Sequence, residues 1–534
     1  LEHLVSQSEQ RGMGIMLDMV FNHTSTQHEW FQKALAGDVK YQKYYIFKEG
    51  TPDHAPTNWE SKFGGSAWEY VPELKKWYLR LFDVTQADLN WDNLQVREEL
   101  KDILRFWKGK GIKGFRFDVI NLISKPEVME DDFEGDGRRF YSDGPHVHEY
   151  LKELVRDAEI EDFVTVGEMS STSLEHCIQY SAPEQKELSM CFNFHHLKVD
   201  YKGGDKWALM DADCKKLKEL FMEWQMGMQK GGGWNALFWC NHDQPRIVSR
   251  LGDEKTYWKE SAKMLVGMIH FMRGTPYIYQ GEEIGMLNAH YPSIEQYRDV
   301  ESLNYYQILL EKGKTKEEAL AILSARSRDN SRTPMQWTGE KYGGFSKAEP
   351  WLPMSAAFRN EITAEAQQKD QDSILAFYKR LIAMRKKYPV IAKGEISFLE
   401  TGTDMVLAYQ RVLGEQKVVV FCNLDGKKQR VKIAGEWSGY KVLLENYSQR
   451  VFLNAGSFRK GVLGAARDLL SDEVGLCPER ECVSGCPDEH TLLEKVGEMG
   501  KAQKMGERVL EDEMYIMEPY EFMVLGGGIQ PDTA

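Results

Sequence analysis

Short apolar segments that end in polar side chains recur along the first 283 residues, and a longer helical pattern follows each of them. The segments are GIMLDMVFNH (14–23), GFRFDVI (114–120), VTVGEM (164–169), ELSMCFNF (187–194), NALFWCNHD (235–243) and TPYIYQGEE (275–283). Near-continuous apolar runs are typical of buried parallel strands, and their alternation with helices indicates a sheet wrapped by helices. The pattern predicts an α/β fold of the (β/α)8 TIM-barrel type, with its chemistry at the carboxyl ends of the strands.

A closed barrel of this type has eight strands, whereas the pattern supplies six. The chain also opens on LEHLVSQSEQRG, an amphipathic helix pattern already under way at Leu1. We therefore expect a barrel that lacks its first two strands, with those strands upstream of Leu1.

Changes in the pattern divide the chain into three predicted parts. Residues 1–23 and 93–390 form the partial barrel, and residues 24–92, rich in Trp, Tyr, Gly and Pro, form a small inserted domain. From about 391 to 534 apolar and polar residues alternate, which predicts an all-β sandwich domain. A charged, helix-prone insertion interrupts it at about 457–513. The spacing of its cysteines, Cys477, Cys482 and Cys486, fits no common zinc site, so we predict no metal there.

Composition narrows the range of partners. The chain has 534 residues, 42% of them hydrophobic, and a net charge of −14 from 68 Lys and Arg against 82 Asp and Glu. A binder of nucleic acid or of an anionic membrane needs clustered Lys and Arg, and a membrane span needs about 18–20 apolar residues in a row. We therefore expect a protein that acts on a small molecule and binds neither nucleic acid nor membrane. Five singly scattered cysteines favour the reducing cytoplasm, and we expect a monomer.

Three carboxylates stand at predicted strand ends: Asp118, Glu168 and Asp243. Two carboxylates in one cleft can divide the roles of nucleophile and general acid, because unlike surroundings separate their pKa values. Retaining hydrolysis of a glycosidic bond uses such a pair about 5–5.5 Å apart. A third carboxylate can stabilise the positive charge of the transition state.

The neighbours of these carboxylates fit the same chemistry. Arg116 stands two residues before Asp118, on the same strand face, where it can keep that carboxylate ionised. His23 and His242 end two other strands and can donate to sugar hydroxyls. Any one of these residues alone is often only a structural hydrogen-bonding group. Their joint occurrence at strand ends favours a glycosidase site.

The segments DMVFNH, QADLNW, GFRFDV, VGEM and NHDQPR resemble, in this order, the signature segments of the α-amylase superfamily, glycoside hydrolase family 13. The resemblance implies that Asp118 is the nucleophile, Glu168 the acid and then the base, and Asp243 the transition-state stabiliser. It also implies that His23, Arg116 and His242 contact the bound glucose and the nucleophile. Val119 resembles the residue of members that cut α-1,6 and related bonds, and core packing explains it equally well.

Within the family, the chain is most similar to members that hydrolyse α,α-trehalose 6-phosphate to glucose and glucose 6-phosphate with retention. Members that act on short α-1,6-glucosides share the three carboxylates and are the alternative. A non-catalytic, amylase-like interaction protein is the remote alternative, since such proteins lack a full set of catalytic carboxylates. The resemblance implies no cofactor, and a metal-binding loop of the type seen in many relatives would belong to the part that we expect upstream of Leu1.

A phosphorylated disaccharide carries about −2 charge, so an acidic enzyme must place local cations beside it. Lys198 and Lys206 lie in the loop after the strand that ends at Phe194. We expect one or both to contact the phosphate, with help from His195 or His196. The alternative is that these lysines are solvated surface residues.

Overall fold

The structure, a computed structural model, describes residues 1–432, 437, 440–447 and 514–528. Its strands are β1 (Met16–Met19), β2 (His23–Ser25), β3 (Phe47–Glu49), β4 (Trp68–Val71), β5 (Lys76–Leu79), β6 (Gln86–Asp88), β7 (Gly114–Phe117), β8 (Val164–Glu168), β9 (Met190–Phe192), β10 (Ala236–Leu237), β11 (Thr275–Pro276), β12 (Glu395–Leu399), β13 (Val406–Leu413), β14 (Gln416–Asn423), β15 (Gln429–Lys432), β16 (Lys441–Glu445), β17 (Met514–Met517) and β18 (Phe522–Gly527). The predicted insertion at about 457–513, with its three cysteines, lies outside the described residues.

The α-helices of the described residues alternate with the strands up to residue 270 and then gather before β12. They are α1 (Glu2–Glu9), α2 (Glu29–Leu35), α3 (Val39–Gln42), α4 (Leu94–Gly109), α5 (Arg138–Tyr141), α6 (Val147–Asp157), α7 (Leu174–Ser181), α8 (Cys214–Lys230), α9 (Ile247–Leu251), α10 (Trp258–His270), α11 (Val300–Glu311), α12 (Lys316–Arg326), α13 (Ala364–Lys369), α14 (Ile374–Lys387) and α15 (Pro389–Lys393). Among these helices, none is both long and apolar enough to cross a bilayer.

The six predicted strands all occur, side by side and parallel. β1, β7, β8 and β9 form one sheet in chain order, and a bridge between Cys191 and Asn235 connects its edge to the β10–β11 pair. β10 and β11 are shorter than their apolar segments, and the N–H groups of Thr275 and Tyr277 donate to the Asn235 and Leu237 carbonyls at 2.9 and 2.7 Å. The carboxyl ends of the six strands therefore meet along one edge.

Amphipathic helices cover the outer face of this sheet. α4 starts at Asn93, whose side chain accepts a hydrogen bond from the Gln95 N–H at 2.9 Å, and it buries Val96, Leu100 and Leu104. This spacing of four residues places the three side chains on one helix face. They join the core that also contains Phe115 and Phe117 of β7.

Between β1 and β7 the chain forms two small antiparallel sheets. β2 pairs with β6, and β5 lies between β3 and β4. Aromatic side chains fill the space behind them, with the Phe31 ring centroid 5.1 Å from that of Tyr78. These sheets lie within the segment predicted as an inserted domain, and its boundaries at 24 and 92 stay a prediction.

An antiparallel sheet with the strand order β12–β13–β14–β18–β16 packs against the barrel helices. Phe522 of β18 lies against α10 at Gly267, where an added Cβ would stand 2.6 Å from the phenyl ring. A glycine at this helix position thus permits the close approach of the sheet.

A fully buried arginine, Arg411 of β13, spans the junction between this sheet and the barrel. Its Nη1 donates to the carbonyl oxygens of Phe271 and Ile391, at 2.6 Å each. Its Nε and Nη2 donate to the Gly394 carbonyl at 3.2 and 2.5 Å. The guanidinium thus connects three chain segments through backbone carbonyls.

Candidate active site

A cleft of about 480 Å³ opens where the carboxyl ends of the parallel strands meet. This volume lies within the ~300–1,000 Å³ of typical small-ligand pockets and leaves room for a disaccharide. Most of the side chains that the sequence singled out line it: His23, Asp118, Glu168, Lys198, Lys206, His242 and Asp243.

Arg116 holds the two carboxylates that were predicted to act as nucleophile and acid. Its Nη1 donates to Asp118 Oδ1 at 2.8 Å and to Asp18 Oδ1 at 2.6 Å, and its Nη2 pairs with Glu168 Oε2. Burial opposes the charge of this guanidinium, but Asp118 and Asp18 outweigh that effect and raise the pKa of Arg116. Because one small planar group contacts both carboxylates, Asp118 and Glu168 lie side by side.

The backbone turns sharply directly after Asp118. Val119 has φ 37° and ψ 41°, a left-handed conformation that is rare for a β-branched residue and costs about 1–3 kcal/mol. Its side chain is buried in the cluster that contains Trp59 and Tyr141, and it also borders the cleft. β7 therefore ends at Phe117, directly before Asp118, and core packing holds the turn that follows.

Asp243 stands opposite two arginines. Arg332 Nη2 donates to Asp243 Oδ1 at 2.5 Å, Arg328 Nη1 lies 3.6 Å from that oxygen, and His242 Nε2 lies 3.7 Å from it. Burial opposes ionisation of Asp243, but Arg328, His242 and Arg332 outweigh it and lower its pKa. Asp243 is thus a carboxylate at neutral pH.

His23 occupies the cleft wall on β2. Its Nε2 lies 2.9 Å from Gln86 Nε2, and its ring centroid lies 5.1 Å from that of Phe82. Burial lowers the pKa of this imidazole, against the opposing charges of Asp88 and Asp118. His23 is therefore neutral at pH 7, and its two ring nitrogens have partners in Gln86 and, at 3.4 Å, in Asn22 Nδ2.

The two predicted phosphate-binding lysines differ in their surroundings. Lys206 Nζ donates to Glu301 Oε2 at 2.7 Å, so its charge is already compensated. For Lys198, no carboxylate of the described residues lies within ion-pair distance. Burial and the nearby Arg138 lower the pKa of Lys198. Lys198 is thus the freer cation of the two.

The structure places His195 and His196 outside the lining of the cleft, and their help in contacting the phosphate stays a prediction. His195 stacks on Trp224 with ring centroids 4.6 Å apart, and His196 Nε2 bonds to the Phe238 carbonyl oxygen at 2.9 Å. Burial lowers the pKa of both imidazoles to about 4, which leaves them neutral. The short turn after Phe194 directs its first two side chains into the core and Lys198 into the cleft.

Several cleft residues were not predicted from the sequence. Arg328 and Arg332 come from the segment SRDNSRTPMQW (327–337), and neither they nor Lys62 and Asp18 were among the predicted site residues. Asp18 lies within the first strand segment, one residue before the end of β1 at Met19. A carboxylate so close to the other strand ends was a sign available in the sequence.

The described residues contain one group of three carboxylates close enough to share a metal ion, Glu98, Glu153 and Asp157. Lys101 Nζ lies among them, 2.7 Å from Glu98, 2.6 Å from Glu153 and 2.9 Å from Asp157. An ammonium group thus already balances this cluster, which lies on α4 and α6 away from the cleft.

Comparison with known proteins places this geometry in a family. The model of the α-amylase catalytic domain matches residues 1–394. The chain belongs to the α-amylase family. It is 50% identical to the trehalose-6-phosphate hydrolase of Bacillus subtilis (strain 168) over 457 residues, 84% of this chain and 81% of that protein. The oligo-1,6-glucosidase of Bacillus cereus is 40% identical over 456 residues, again 84% of this chain and 81% of that protein.

Solved structures show the same relationship for this member of the α-amylase family. The crystal structure of Bacillus licheniformis trehalose-6-phosphate hydrolase superposes with a TM-score of 0.82 at 45% identity, covering 98% of this chain and 85% of that one. The family barrel with a C-terminal all-β domain is therefore the fold of this chain, as the strand pattern predicted.

Proposed function

We propose that this glycoside hydrolase of the α-amylase family cleaves α,α-trehalose 6-phosphate into glucose and glucose 6-phosphate, with retention of anomeric configuration. The relatives that carry this activity in their names share 50% identity with the chain, against 40% for the oligo-1,6-glucosidases. The latter activity, on short α-1,6-glucosides, is the second candidate.

The observation that carries the proposal is the shared contact of Asp118 and Glu168 with Arg116. A retaining mechanism needs two carboxyl groups about 5–5.5 Å apart, and the contact of both carboxylates with one guanidinium, which brings them close together, supports it. An inverting enzyme needs a gap of about 6.5–9.5 Å for a water molecule.

In the first step, Asp118 attacks the anomeric carbon of the unphosphorylated glucose while Glu168 gives its proton to the bridging oxygen. The bond from that carbon to oxygen breaks, and glucose 6-phosphate leaves. The glucose stays bound to Asp118 as a β-glucosyl ester. Arg116 orients Asp118 throughout, since Nη1 donates to the oxygen Oδ1.

In the second step, Glu168, now a carboxylate, takes a proton from water, and the water oxygen attacks the same carbon. The ester bond to Asp118 breaks and α-glucose leaves, so that two inversions give net retention. Both steps pass through an oxocarbenium-like state, whose positive charge the ionised Asp243 stabilises. His23 and His242 bind the glucose hydroxyls.

The deciding experiment compares substrates. The purified protein is incubated with trehalose 6-phosphate, trehalose and isomaltose, and the glucose and the glucose 6-phosphate released are each measured with a coupled dehydrogenase. We expect a kcat/KM for trehalose 6-phosphate far above that for the other two, and proton NMR should show α-glucose as the first product. Faster cleavage of isomaltose would favour the oligo-1,6-glucosidase activity, and β-glucose as first product would contradict retention.

We further propose that the enzyme is a cytoplasmic monomer without a cofactor or a nucleic-acid or membrane partner. Cys177, Cys191, Cys240 and Cys422 are buried free thiols, which suits a reducing compartment. Light scattering on the eluate of a sizing column should give the mass of one chain, and dialysis against a chelator should leave the kcat unchanged.

A further inference from the structure

A tight turn in the segment SKFGGS presents a lysine to the cleft that no prediction assigned. The Ser61 N–H donates to the Gly65 carbonyl at 2.8 Å, and Gly64 and Gly65 have φ values of 93° and 78°, which side-chain-bearing residues rarely adopt. The Lys62 N–H donates to the Leu81 carbonyl at 2.9 Å. The backbone of the turn is thus fixed on both sides of Lys62, whose side chain lines the cleft.

Lys62 is a partly buried cation without a carboxylate partner. Its Nζ donates to Ser170 Oγ at 2.9 Å and lies 5.3 Å from the centre of the Tyr141 ring. Among the described residues no carboxylate lies within ion-pair distance of this Nζ, whereas Lys206 pairs with Glu301 and Arg138 pairs with Asp136. Withdrawing a charge from water without a partner is unfavourable, so the site is suited to an incoming anion.

The Ser170 contact locates Lys62 relative to the reaction. Ser170 follows Glu168 by two residues, and the buried Asn121 side chain fixes it, donating to the Ser170 carbonyl at 2.8 Å and accepting from its N–H at 2.9 Å. In the proposed mechanism Glu168 protonates the bridging oxygen, so the chain just beyond Glu168 flanks the leaving sugar. Lys62 therefore lies on the side of the cleft where the leaving glucose 6-phosphate carries its charge.

Lys198 lies close enough to Lys62 for its charge to affect the titration of Lys62. Both side chains line the same cleft, and neither has an anionic partner among the described residues. We propose that Lys62 and Lys198 together form the phosphate subsite of this enzyme, with Lys62 as a specificity-determining residue. This inference rests on the proposed hydrolysis of trehalose 6-phosphate and extends it to a residue on the SKFGGS turn.

The surroundings of Lys62 also give the subsite a pH dependence. Burial, with Arg138 and Lys198, lowers the pKa of Lys62 to about 7, against the opposing charges of Asp136 and Asp88. Lys62 of the free enzyme is therefore charged below about pH 7 and loses its proton above it. A sugar phosphate is a dianion above about pH 6, so alkaline pH removes one of the two cations that face it.

The first test replaces Lys62 by methionine, which keeps the length of the side chain and removes the charge. K62M should raise KM for trehalose 6-phosphate about 10- to 100-fold, the range of a charge-assisted phosphate contact. On 4-nitrophenyl α-glucoside, which has no phosphate, kcat/KM should change by less than about threefold. The matched control is K202M. Lys202 is an exposed lysine that follows β9, as Lys198 does, and its replacement should change neither value.

An equal loss on both substrates in K62M would overturn the inference, because it would mean that Lys62 only supports Ser170. If wild-type enzyme released no glucose 6-phosphate at all, the proposed function would fail as well, so the two failures are distinguishable. A circular dichroism melt of K62M checks folding, and K62R, which restores the charge, should recover most of the affinity for trehalose 6-phosphate.

The second test uses pH. For wild type, kcat/KM for trehalose 6-phosphate should fall about fivefold relative to 4-nitrophenyl α-glucoside between pH 7 and 8.5, as Lys62 loses its proton. K62M should lack this relative fall, and so should K62R, because arginine stays protonated. A fall of the same size in K62M would show that another group causes it and would overturn the role of Lys62.

Discussion

Two arginines of this protein, Arg116 in the cleft and Arg411 at the junction with the C-terminal sheet, have opposite environments. Arg116 is 15% exposed and contacts the carboxylates of Asp18, Asp118 and Glu168. Arg411 is fully buried and donates only to backbone carbonyls. The carboxylates raise the pKa of Arg116, whereas burial lowers that of Arg411 to about 9, and both guanidinium groups are charged at pH 7.

The difference separates function from stability. The partners of Arg116 border a water-filled cleft, so they can regain water if the arginine is lost. The carbonyl partners of Arg411 are enclosed between two packed layers, and no water can replace its donors there. We therefore expect changes around Arg116 to affect catalysis and changes at Arg411 to affect the free energy of unfolding.

The largest effect should follow from removing the charge that Arg116 orients. Asp118→Asn should lower kcat about 10⁴-fold, as loss of a nucleophile typically does, with a change in the free energy of unfolding below about 1 kcal/mol. Steady-state kinetics and thermal melts measure the two effects. Added azide should restore turnover and yield β-glucosyl azide, since a small anion can take the place of the missing carboxylate. If azide did not restore turnover and the Tm of the variant fell well below that of wild type, Asp118 would have a structural role.

At Arg411 we expect the opposite result, a loss of stability with little loss of activity. Arg411→Met leaves the carbonyl groups of Phe271, Ile391 and Gly394 without their donor and should lower the free energy of unfolding by about 3–5 kcal/mol. Well below the Tm, kcat should stay within about twofold of wild type. Arg430→Met is the matched control, because Arg430 is exposed on β15 and its replacement should change stability by less than about 0.5 kcal/mol. A Tm of R411M equal to that of wild type would contradict the proposed difference between Arg116 and Arg411.

The sequence predicted the carboxylates of the cleft better than the residues that hold them in place. Asp118, Glu168 and Asp243 were recognisable because parallel strands place their carboxyl ends at one edge, and a strand pattern reveals those ends. The contact of Arg332 with Asp243 depends on how a segment 89 residues later folds back, and no local pattern encodes that approach. The directions of the His195 and His196 side chains could not be predicted for a related reason, since they depend on the packing of Trp224 and Phe238 from later elements.

Arg116 itself should show the next smaller effect on activity. Arg116→Gln keeps a donor but removes the charge, so Asp118 and Glu168 lose the group that orients them. We expect kcat to fall about 10²–10³-fold with little change in Tm, in line with other residues that act through a nucleophile. Steady-state kinetics would measure the kcat, and a thermal melt would measure the Tm. A destabilisation as large as that of R411M would show that the cleft arginine is also a structural residue.

The smallest effect concerns the two lysines that the sequence predicted to contact the phosphate, Lys198 and Lys206. Lys206 has an anionic partner in Glu301, at 2.7 Å, and Lys198 has none among the described residues. Lys198→Ala should raise KM for trehalose 6-phosphate about tenfold, and Lys206→Ala only about two- to threefold, because a compensated charge attracts the phosphate less. KM for trehalose should stay unchanged in both variants. A larger effect for Lys206 would mean that Glu301 releases this lysine when substrate binds, so the double variant K206A/E301A should then match K206A alone.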